Sequence, residues 1–405
     1  MTPGVDTDKP NICVVGMGYI GLPTAALLAS RGYSIHGVDV VQDVVDIIND
    51  GKIHIVEPDL DVFVNEAVAS GKLKCDIKPE KADVFIIAVP TPFKDDHEPD
   101  VSYVEQATES IAEYVEQGNL VILESTSPIG TTERVKDILE EKRVDTSKIF
   151  IAHCPERVLP GHIMKELVEN DRIVGGLTNE ATKKASNFYK EFVEGEVLET
   201  NAKTAEMTKL AENSYRDTNI AFANELSLLG DKYGINAWEV VELANRHPRV
   251  NILQPGIGVG GHCISVDPWF LISGNEEVTT LMRASRDVNR SKTRWVASKI
   301  KEAADNFEKD FTRKPKIAVM GLAYKPNIDD LRESPAVDIT KELLSDGYQV
   351  LTAEPNIVEH KDFELVNYQD AAQQADIVVF LVGHDEFKDL EPENYLDFCG
   401  IKEVK

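Results

Sequence analysis

A short apolar run followed at once by closely spaced glycines constrains this fold more than any other feature. The segment NICVVGMGYIGLPTAALLASRGYSIHGVDV (11–40) reads as a strand, a glycine turn, a small-residue helix and a second strand that ends at an acid. Further apolar segments, ADVFIIAVP, NLVILEST and KIFIAHCPE, alternate with helical stretches such as SYVEQATESIAEYVEQ. Strands that alternate with helices predict a parallel, doubly wound sheet.

The same opening returns near the C-terminus. KIAVMGLAYKP repeats the strand and glycine turn, and ADIVVFLVGHDEFKD is similar to the earlier ADVFIIAVPTPFKDD. Between the two ends, from about Lys203 to Leu229 and again from Glu277 to Phe307, the pattern turns helical. We therefore predict an α/β fold in which a helical middle domain joins two Rossmann-like, doubly wound domains. The predicted bounds are 1–200, 201–310 and 311–405, with the charged stretch 301–314 as the linker.

The first glycine turn has the G-x-G-x-x-G spacing that is typical of dinucleotide binding. Gly16, Gly18 and Gly21 let the turn tighten and let its backbone approach a pyrophosphate, which then lies on the helix N-terminus. Asp39 ends the second strand and is placed to accept the ribose hydroxyls. This arrangement favours NAD over its 2′-phosphorylated relative.

Two threonines follow later strands of the same domain. Thr91 in VPTP and Thr126 in ESTSP are expected at the carboxyl edge of the sheet, where ligands bind in such folds. Taken singly, each could equally be a turn-forming threonine, because threonine hydroxyls also stabilise turns.

Composition narrows the class of protein. The net charge of −27 argues against nucleic acid or an anionic membrane as the main partner. No apolar run approaches the roughly 20 residues of a membrane helix, and the start lacks the basic and apolar regions of a secretory signal. Five scattered cysteines without CxxC spacing argue against a disulfide framework. We therefore expect a cytoplasmic protein without membrane insertion.

The stretch GVGGHCISVD raises a chemical question, because moving a hydride from an alcohol to NAD needs no thiol. A thiolate at Cys263 could add to an aldehyde, and the resulting thiohemiacetal could lose a second hydride to become a thioester that water cleaves. Asp267 and Pro268 read as an N-cap and the first helical residue, and a helix N-terminus beside a cysteine favours the thiolate. The preceding glycines are expected to leave room for the substrate carbon. Cys263 in this loop therefore predicts a four-electron oxidation. The alternative is that Cys263 is a small buried residue without a chemical role.

A zinc site is the competing interpretation of the cysteines. His153-Cys154 and His262-Cys263 form two HC pairs, but adjacent residues in an extended loop point apart. Structural zinc sites favour ligands spaced by two to four residues, and catalytic zinc needs three protein ligands. We therefore predict no metal site.

A polar stripe and several basic loops complete the candidate residues. Lys209, Asn213 and Arg216 recur at helical spacing and share one face, which is usually just solvated but could stabilise an oxyanion. Glu156, just after a strand, could activate the water that cleaves a thioester or could be a surface acid. Positive charges suited to a diphosphate recur in separate loops, although each alone is more typical of a surface. They are Arg157, Arg246, His247, Arg249, Lys325 and Arg332.

Seven stretches together resemble one family over nearly the whole chain and in the same order. They are GMGYIGLP, VPTP, ESTSPIGTT, CPER, AEMTKLAENSYRD, GVGGHC and DDLRESPA, and they resemble the UDP-glucose/GDP-mannose dehydrogenase family. The resemblance implies an NAD domain, a helical domain that forms a homodimer or a higher even oligomer, and a C-terminal domain that binds UDP.

The resemblance also implies roles for individual residues. Cys263 would be the nucleophile, Lys209 an acid/base or oxyanion partner, and Glu156 the residue that serves thioester hydrolysis. Asn213 and Asp267 would order the site. The cofactor contacts would be Gly16, Gly18, Tyr19, Ile20, Gly21, Asp39, Thr91, Thr126 and Arg332. The substrate contacts would be Arg157, Val158, Leu159, Lys209, Asn213, Arg216, His247, Arg249, Gly260 and Lys325.

Within the family, five stretches are similar to the branch that oxidises UDP-N-acetyl-D-mannosamine to its uronate for surface polysaccharides. These are IHIVEPDL, AVPTPFKDDHEPD, CPERVLPG, NRHPRVNILQPG and GVGGHCISVDPW. UDP-N-acetylglucosamine, UDP-glucose and GDP-mannose stay open as substrates. Outside the family, a two-electron hydroxyacid dehydrogenase and a non-catalytic nucleotide-sugar sensor are the alternatives.

Overall fold

The computed structural model describes residues 9–94 and 97–402. The chain divides into two compact units, Met1–Ala211 and Glu212–Lys405. The strands of the N-terminal unit are β1 (Asn11–Val15), β2 (Ser34–Val38), β3 (Leu73–Asp76), β4 (Val84–Ile87), β5 (Leu120–Leu123), β6 (Phe150–His153), β7 (Arg172–Gly176) and β8 (Val197–Asn201). Its helices are α1 (Gly21–Ser30), α2 (Gln42–Asn49), α3 (Leu60–Ala69), α4 (Ser102–Ile111), α5 (Thr131–Glu141), α6 (Ile163–Glu169) and α7 (Asn179–Lys190), and α8 (Ala202–Tyr233) contains the boundary.

The described strands of the N-terminal unit form one sheet in the order β3-β2-β1-β4-β5-β6-β7-β8. Side chains alternate along each strand, so Ile12 and Val14 join the apolar cluster on one face while Cys13 and Val15 join the cluster on the other. Because helices cover both faces, the central strands read as continuous apolar runs. The order reverses direction between β1 and β4, which places a ligand crevice at the carboxyl ends of these two strands.

One strand departs from the predicted parallel arrangement. β7 runs antiparallel to β6, with Ala152 opposite Gly176 and His153 opposite Gly175. The chain therefore stays at the carboxyl edge after β6, passes through Glu156 and α6, and re-enters the sheet from that edge. This detour keeps the segment after Glu156 beside the edge that carries the glycine turn.

The C-terminal unit contains a second sheet, which is entirely parallel, in the order β10-β9-β11-β12. Its strands are β9 (Lys316–Met320), β10 (Gln349–Ala353), β11 (Ile377–Phe380) and β12 (Tyr395–Asp397). Its helices, besides the second part of α8, are α9 (Ala237–Ala244), α10 (Asp267–Ile272), α11 (Thr280–Phe311), α12 (Pro335–Ser345) and α13 (Tyr368–Gln374).

The two ends of the chain are built alike, as the sequence predicts. Gly16 after β1 and Gly321 after β9 both adopt φ +94°, a value that favours glycine. The amide of Gly16 donates to the carbonyl of Val38 at 2.8 Å, and that of Gly321 donates to Ala353 at 2.8 Å. The predicted fold class is therefore confirmed, with one strand–turn–helix–strand unit used twice.

The middle of the chain is helical, as predicted, but α11 reaches Phe311 and so takes in most of the charged stretch interpreted as a linker. The Pro- and Gly-rich stretch after α9 is irregular, and side-chain amides hold it in place. Asn219 accepts from the amide of Leu253 at 2.9 Å, and Asn224 accepts from that of Gly256 at 2.9 Å. Among residues 9–94 and 97–402, no helix is both long and apolar enough to cross a bilayer.

A buried ion pair links α8 to α11. Arg286 donates to the carboxylate of Asp217 at 2.7 Å, and Asn289 donates to the same oxygen at 2.8 Å. Replacing Arg286 with leucine leaves a buried carboxylate without its cation, so we expect the free energy of unfolding to fall by about 3–5 kcal/mol. Urea denaturation followed by circular dichroism measures this loss. The exposed Arg294, changed to leucine, should alter stability by less than about 0.5 kcal/mol, and equal losses in both variants would refute the argument.

Candidate active site

The first glycine turn has the geometry of a dinucleotide cradle. A Cβ at Gly21 would lie 1.8 Å from the carbonyl oxygen of Gly16, so only glycine allows α1 to begin so close to β1. A Cβ at Gly18 would meet no atom within 4 Å, so the turn is open where a pyrophosphate would approach. Asp39 accepts from the amide of Met17 at 3.0 Å and stays partly exposed at the end of β2. These residues fit the pyrophosphate and ribose of NAD.

The other predicted cofactor residues of this unit lie along the same sheet edge. Tyr19 is exposed and Ile20 half-buried at the start of α1. The hydroxyl of Thr91, after β4, donates to the backbone carbonyl of Thr126, after β5, at 2.6 Å. The structure therefore brings the two threonines together beside the point where the strand order reverses.

Cys263 differs from the other four cysteines of the chain. It is exposed, whereas Cys13, Cys75 and Cys154 are buried and Cys399 is intermediate. Burial raises the pKa of Cys13, Cys75 and Cys154 to about 12, and it also raises the pKa of Cys399. A buried apolar environment makes these four thiols inert. Exposure therefore distinguishes Cys263 as the cysteine that a substrate can reach.

The glycines before Cys263 serve a different purpose from the one predicted. A Cβ at Gly258 would lie 2.4 Å from the hydroxyl of Thr293, and one at Gly260 would lie 2.5 Å from the carbonyl of Glu333. The space beside these glycines is therefore filled by the protein itself. They allow the loop to pack closely, and Gly260 can offer only its backbone to a substrate.

The turn that carries Cys263 leads directly into α10. The amides of Val266 and Asp267 donate to the carbonyl of Cys263 at 3.1 and 2.8 Å. The prediction that Asp267 caps this helix is wrong, because Val266 occupies the cap position and Asp267 is the first helical residue. Its buried carboxylate instead accepts from the side-chain amide of Asn213 at 2.5 Å. The two residues thus fix the base of the cysteine turn to α8.

Helix α8 carries the predicted polar stripe. Lys209 is half-buried, Asn213 is buried and Arg216 is exposed on one face. One turn before Lys209, the buried carboxylate of Glu206 accepts from the amides of Gly130 and Thr132 at 2.7 Å. These amides open α5, so Glu206 anchors the lysine-bearing turn to the segment that follows Thr126.

Glu156 lies in a buried charged cluster. Its carboxylate accepts from Arg172 at 2.5 Å and from the amide of Arg157 at 2.6 Å. Glu124 lies in the same cluster, accepts from the hydroxyl of Tyr189 at 2.6 Å, and has a pKa raised to about 7, chiefly by burial. The charge of Glu156 raises that pKa further, and Arg172 opposes the rise. Two carboxylates therefore share one guanidinium, and only Glu156 bonds it directly.

The loop after Glu156 is held by two acids that sequence reasoning missed. The buried carboxylate of Glu57 accepts from the amides of Gly161 and Ile163 at 2.8 and 2.7 Å, and Glu166 accepts from the amide of Leu159 at 2.7 Å. Arg157 donates to the carbonyl of Asp171 at 3.1 Å. Arg157, Val158 and Leu159 are all partly buried. Glu57 lies in the stretch IHIVEPDL. Its hydrogen-bond partners are over 100 residues away in sequence, so no local pattern could predict these contacts.

The C-terminal unit has a cavity of about 570 Å³ that contains one predicted substrate residue. Lys325 lines this cavity together with Gly256, Gly258 and Leu381. The lining also includes Tyr324, whose ring lies within 3 Å of where a Cβ at Gly261 would be. The cavity therefore has a cation, Lys325, in its wall that can meet a polar or anionic group of a ligand.

The remaining predicted residues of this unit are exposed. His247 and Arg249 share the turn after α9, where the amide of Arg249 donates to the ring of His247 at 3.3 Å. Arg332 makes a bidentate ion pair with Asp330 at 2.6 to 3.1 Å. Its backbone carbonyl accepts from the amide of Gly261 at 3.0 Å, which ties it to the cysteine loop.

No metal cluster emerges from the described ranges, since they hold no group of three or more His, Cys, Asp or Glu residues placed to bind an ion. His153, the last residue of β6, is fully buried, and burial lowers its pKa to about 3, so the imidazole is neutral.

Comparison with known proteins gives three family matches. Sequence models of the UDP-glucose/GDP-mannose dehydrogenase family match as NAD binding domain at residues 10–193, central domain at 203–291 and UDP binding domain at 318–403. The NAD binding match confirms the predicted cofactor.

Individual relatives cover nearly the whole chain. A UDP-N-acetyl-D-mannosamine dehydrogenase of Campylobacter jejuni is 54% identical over 96% of this chain and 98% of its own. An NDP-N-acetyl-D-galactosaminuronic acid dehydrogenase of Ralstonia nicotianae is 51% identical over 97% and 95%. The solved UDP-D-ManNAc dehydrogenase of Pyrococcus horikoshii superposes with a TM-score of 0.90 at 41% identity, over 98% and 96% of the two chains. The chain therefore belongs to the UDP-glucose/GDP-mannose dehydrogenase family.

Proposed function

We propose that this protein oxidises C6 of UDP-N-acetyl-D-mannosamine to the carboxylate in two successive NAD-dependent steps, through a thioester on Cys263. The observation that carries the proposal is Cys263 itself, an exposed thiol on a turn that hydrogen bonds join to α10. A two-electron dehydrogenase has no use for such a thiol. The relatives named for this sugar support the substrate.

The residues divide the chemistry as follows. NAD, when bound, accepts one hydride at each oxidation. Lys209 takes the hydroxyl proton in the first step and stabilises the oxyanion when the sulfur of Cys263 adds to the aldehyde. Loss of the second hydride leaves a thioester, and Glu156 activates the water that cleaves it. Asn213 and Asp267 keep the cysteine turn in place through their hydrogen bond. One water enters and two hydrides leave for each carboxylate formed.

The remaining predicted residues bind and orient. We assign Gly16, Gly18, Tyr19, Ile20, Gly21, Asp39, Thr91, Thr126 and Arg332 to NAD. We assign Arg157, Val158, Leu159, Arg216, His247, Arg249, Gly260 and Lys325 to the nucleotide sugar. The UDP binding domain match at 318–403 supports the assignment of Lys325. We also keep the three-domain division at residues 200 and 310 and a cytoplasmic location, which the five free cysteines support.

NADH formation with a panel of nucleotide sugars tests the substrate. UDP-N-acetyl-D-mannosamine should give two NADH per sugar and the highest kcat/KM. UDP-N-acetylglucosamine, UDP-glucose and GDP-mannose are the competitors from the wider family. A clearly higher kcat/KM with any of them would refute the sugar while leaving the chemistry in place.

A UDP-N-acetylgalactosamine-type sugar is the second candidate, because a relative named for the galactosaminuronic acid is 51% identical, close to the 54% of the mannosamine relative. Overall identity thus does not separate the two sugars, and the same panel includes this substrate. Binding of every sugar with no NADH would instead indicate a sensor.

We further propose that the protein is a homodimer joined through α8. Tyr215, Phe222, Leu229 and Tyr233 recur at spacings of 7, 7 and 4, so they form one apolar stripe, and each is 51–66% exposed. Replacing Phe222 with aspartate should convert the dimer to a monomer in light scattering after gel filtration. Leu243, an equally exposed apolar residue of α9, changed to aspartate should leave the mass unchanged. A dimeric Phe222→Asp protein would contradict this interface.

A further inference from the structure

A buried histidine–glutamate pair holds both ends of the segment that carries Lys325. Glu354 directly follows β10, and its carboxylate accepts from the amides of Leu322 and Ala323 at 2.7 and 3.0 Å. His384 follows β11, and its Nδ1 accepts from the amide of Asn327 at 2.9 Å. The ring Nε2 of His384 lies 3.0 Å from the carboxylate of Glu354. The pair thus bonds the segment on each side of Lys325.

The partners of His384 determine which ring nitrogen carries the proton. A backbone amide can only donate, so Nδ1 must accept from Asn327 and cannot carry a proton. Nε2 is therefore the protonated nitrogen and donates to Glu354. Burial by itself would raise the pKa of Glu354, but the hydrogen bond from His384 and the amides of Leu322 and Asn356 hold it below its usual range. Glu354 is therefore a carboxylate that accepts from Nε2 of His384.

The N-terminal unit leaves its equivalent acid partly exposed, whereas the C-terminal unit buries it. Asp39 and Glu354 occupy the same position, after the second strand of each repeated unit. Asp39 is partly exposed, but Glu354 is buried and already bonded to His384 and three backbone amides. Glu354 therefore cannot receive ribose hydroxyls as Asp39 can. Its hydrogen bonds instead hold the backbone of the turn that begins at Leu322.

We propose that Glu354 and His384 are positioning residues that hold segment 322–327 so that Lys325 faces the 570 Å³ cavity and meets the nucleotide end of the substrate. The inference rests on the proposed assignment of Lys325 to the nucleotide sugar. Asn327 ends the segment in the left-handed conformation at φ +61°, which asparagine tolerates better than most residues. Its amide is bonded to His384, and its side chain exchanges two hydrogen bonds with Asp385, the residue after His384, each at 3.0 Å. The bond to His384 is the one that holds the backbone of Asn327.

Two substitutions of His384 separate its two bonds. Asparagine can place its side-chain oxygen where Nδ1 accepts from Asn327, whereas glutamine can place its nitrogen where Nε2 donates to Glu354. We expect His384→Gln to raise the Kd of UDP in calorimetry, and the KM for the nucleotide sugar, by about tenfold, because the Asn327 amide loses its acceptor. His384→Asn should change both by less than about twofold. The KM for NAD should change less than the KM for the nucleotide sugar in both variants, since all proposed NAD contacts except Arg332 belong to the N-terminal unit.

Comparing the melting temperatures with the UDP affinities of the two variants tests whether His384 serves only the stability of the fold. His384→Asn loses the bond to Glu354, and His384→Gln loses the contacts of Nδ1 with Asn327 and Asn356, so both variants should melt lower than the original protein. Equal UDP affinity in the two variants would overturn the proposal. Should His384→Gln fail to fold, Glu354→Gln replaces it, and wild-type UDP affinity in that folded variant would overturn the proposal as well.

Lys325→Met shows which assumption is at fault if the proposal fails. This substitution should raise the Kd of UDP at least about tenfold, because a charged contact to a phosphate is lost. If Lys325→Met binds UDP normally, the inference fails because the proposed substrate assignment is wrong. If Lys325→Met weakens UDP and His384→Gln does not, the substrate assignment stands and the positioning role alone is refuted.

Discussion

Replacing Cys263 with serine is expected to lower carboxylate formation by at least about 10³-fold, because the covalent intermediate depends on sulfur. A serine hydroxyl is a far weaker nucleophile at neutral pH than a thiol that is exposed on a turn. Lys209 remains in place, so the variant should still bind the nucleotide sugar. The measurement is NADH released per sugar, with the acid quantified by chromatography.

Cys13→Ser is the matched control for this experiment. Cys13 is buried in the core of the N-terminal unit, it does not line the cavity that contains Lys325, and serine is close to it in size. The control should therefore retain two NADH per sugar at nearly the original rate. If Cys263→Ser also gave two NADH per sugar at a similar rate, the thioester route would be refuted. One NADH per sugar in both the original protein and the variant would instead indicate a two-electron dehydrogenase.

Replacing Glu156 with glutamine should stop the reaction at the thioester. We expect a burst of two NADH per active site, followed by turnover at least about 10²-fold slower, because the water loses its general base. Intact-protein mass spectrometry should then show the nucleotide sugar attached to Cys263, and hydroxylamine should release it. Burial of the Glu156–Arg172 pair makes this variant hazardous, since a lone buried cation is destabilising.

Glu124 can compensate for the charge lost in Glu156→Gln, and it also provides a control variant. Its pKa is raised to about 7 by burial and by the charge of Glu156. Without that charge the pKa should fall, so Glu124 can ionise and neutralise Arg172 in Glu156→Gln. Glu124→Gln keeps Glu156 intact and should accumulate no thioester. If Glu156→Gln melts much lower and loses the first NADH too, Glu156 serves only the ion pair.

Local sequence patterns predicted the structure correctly where it depends on residues that are close together in the sequence. The glycine turn, its helix and Asp39 lie within one strand–helix–strand unit, so spacing alone located them. The polar face of α8 followed from helical periodicity. The cap at Asp267 was predicted wrongly because an acid before a proline has the same spacing as a cap, and only the bond to Asn213 distinguishes the two.

Long-range contacts were not predictable. Glu57 and Gly161 are 104 residues apart, and Glu206 and Gly130 are 76 apart. No periodicity connects such partners, so neither acid stood out from the 70 acidic residues of the chain. The antiparallel entry of β7 was missed for a related reason, because strand direction depends on where the chain lies in space when it re-enters the sheet.

The sequence by itself determined which groups react and which short segments present them: a cysteine, a lysine on a helical face, an acid after a strand and a glycine turn for the cofactor. The tertiary structure alone decided which cysteine is exposed, which acids are held by amides and which ring nitrogen of His384 carries a proton. The reason is physical. Turn geometry and periodicity act over a few residues, whereas burial and hydrogen-bond partners depend on segments that meet only when the chain is folded.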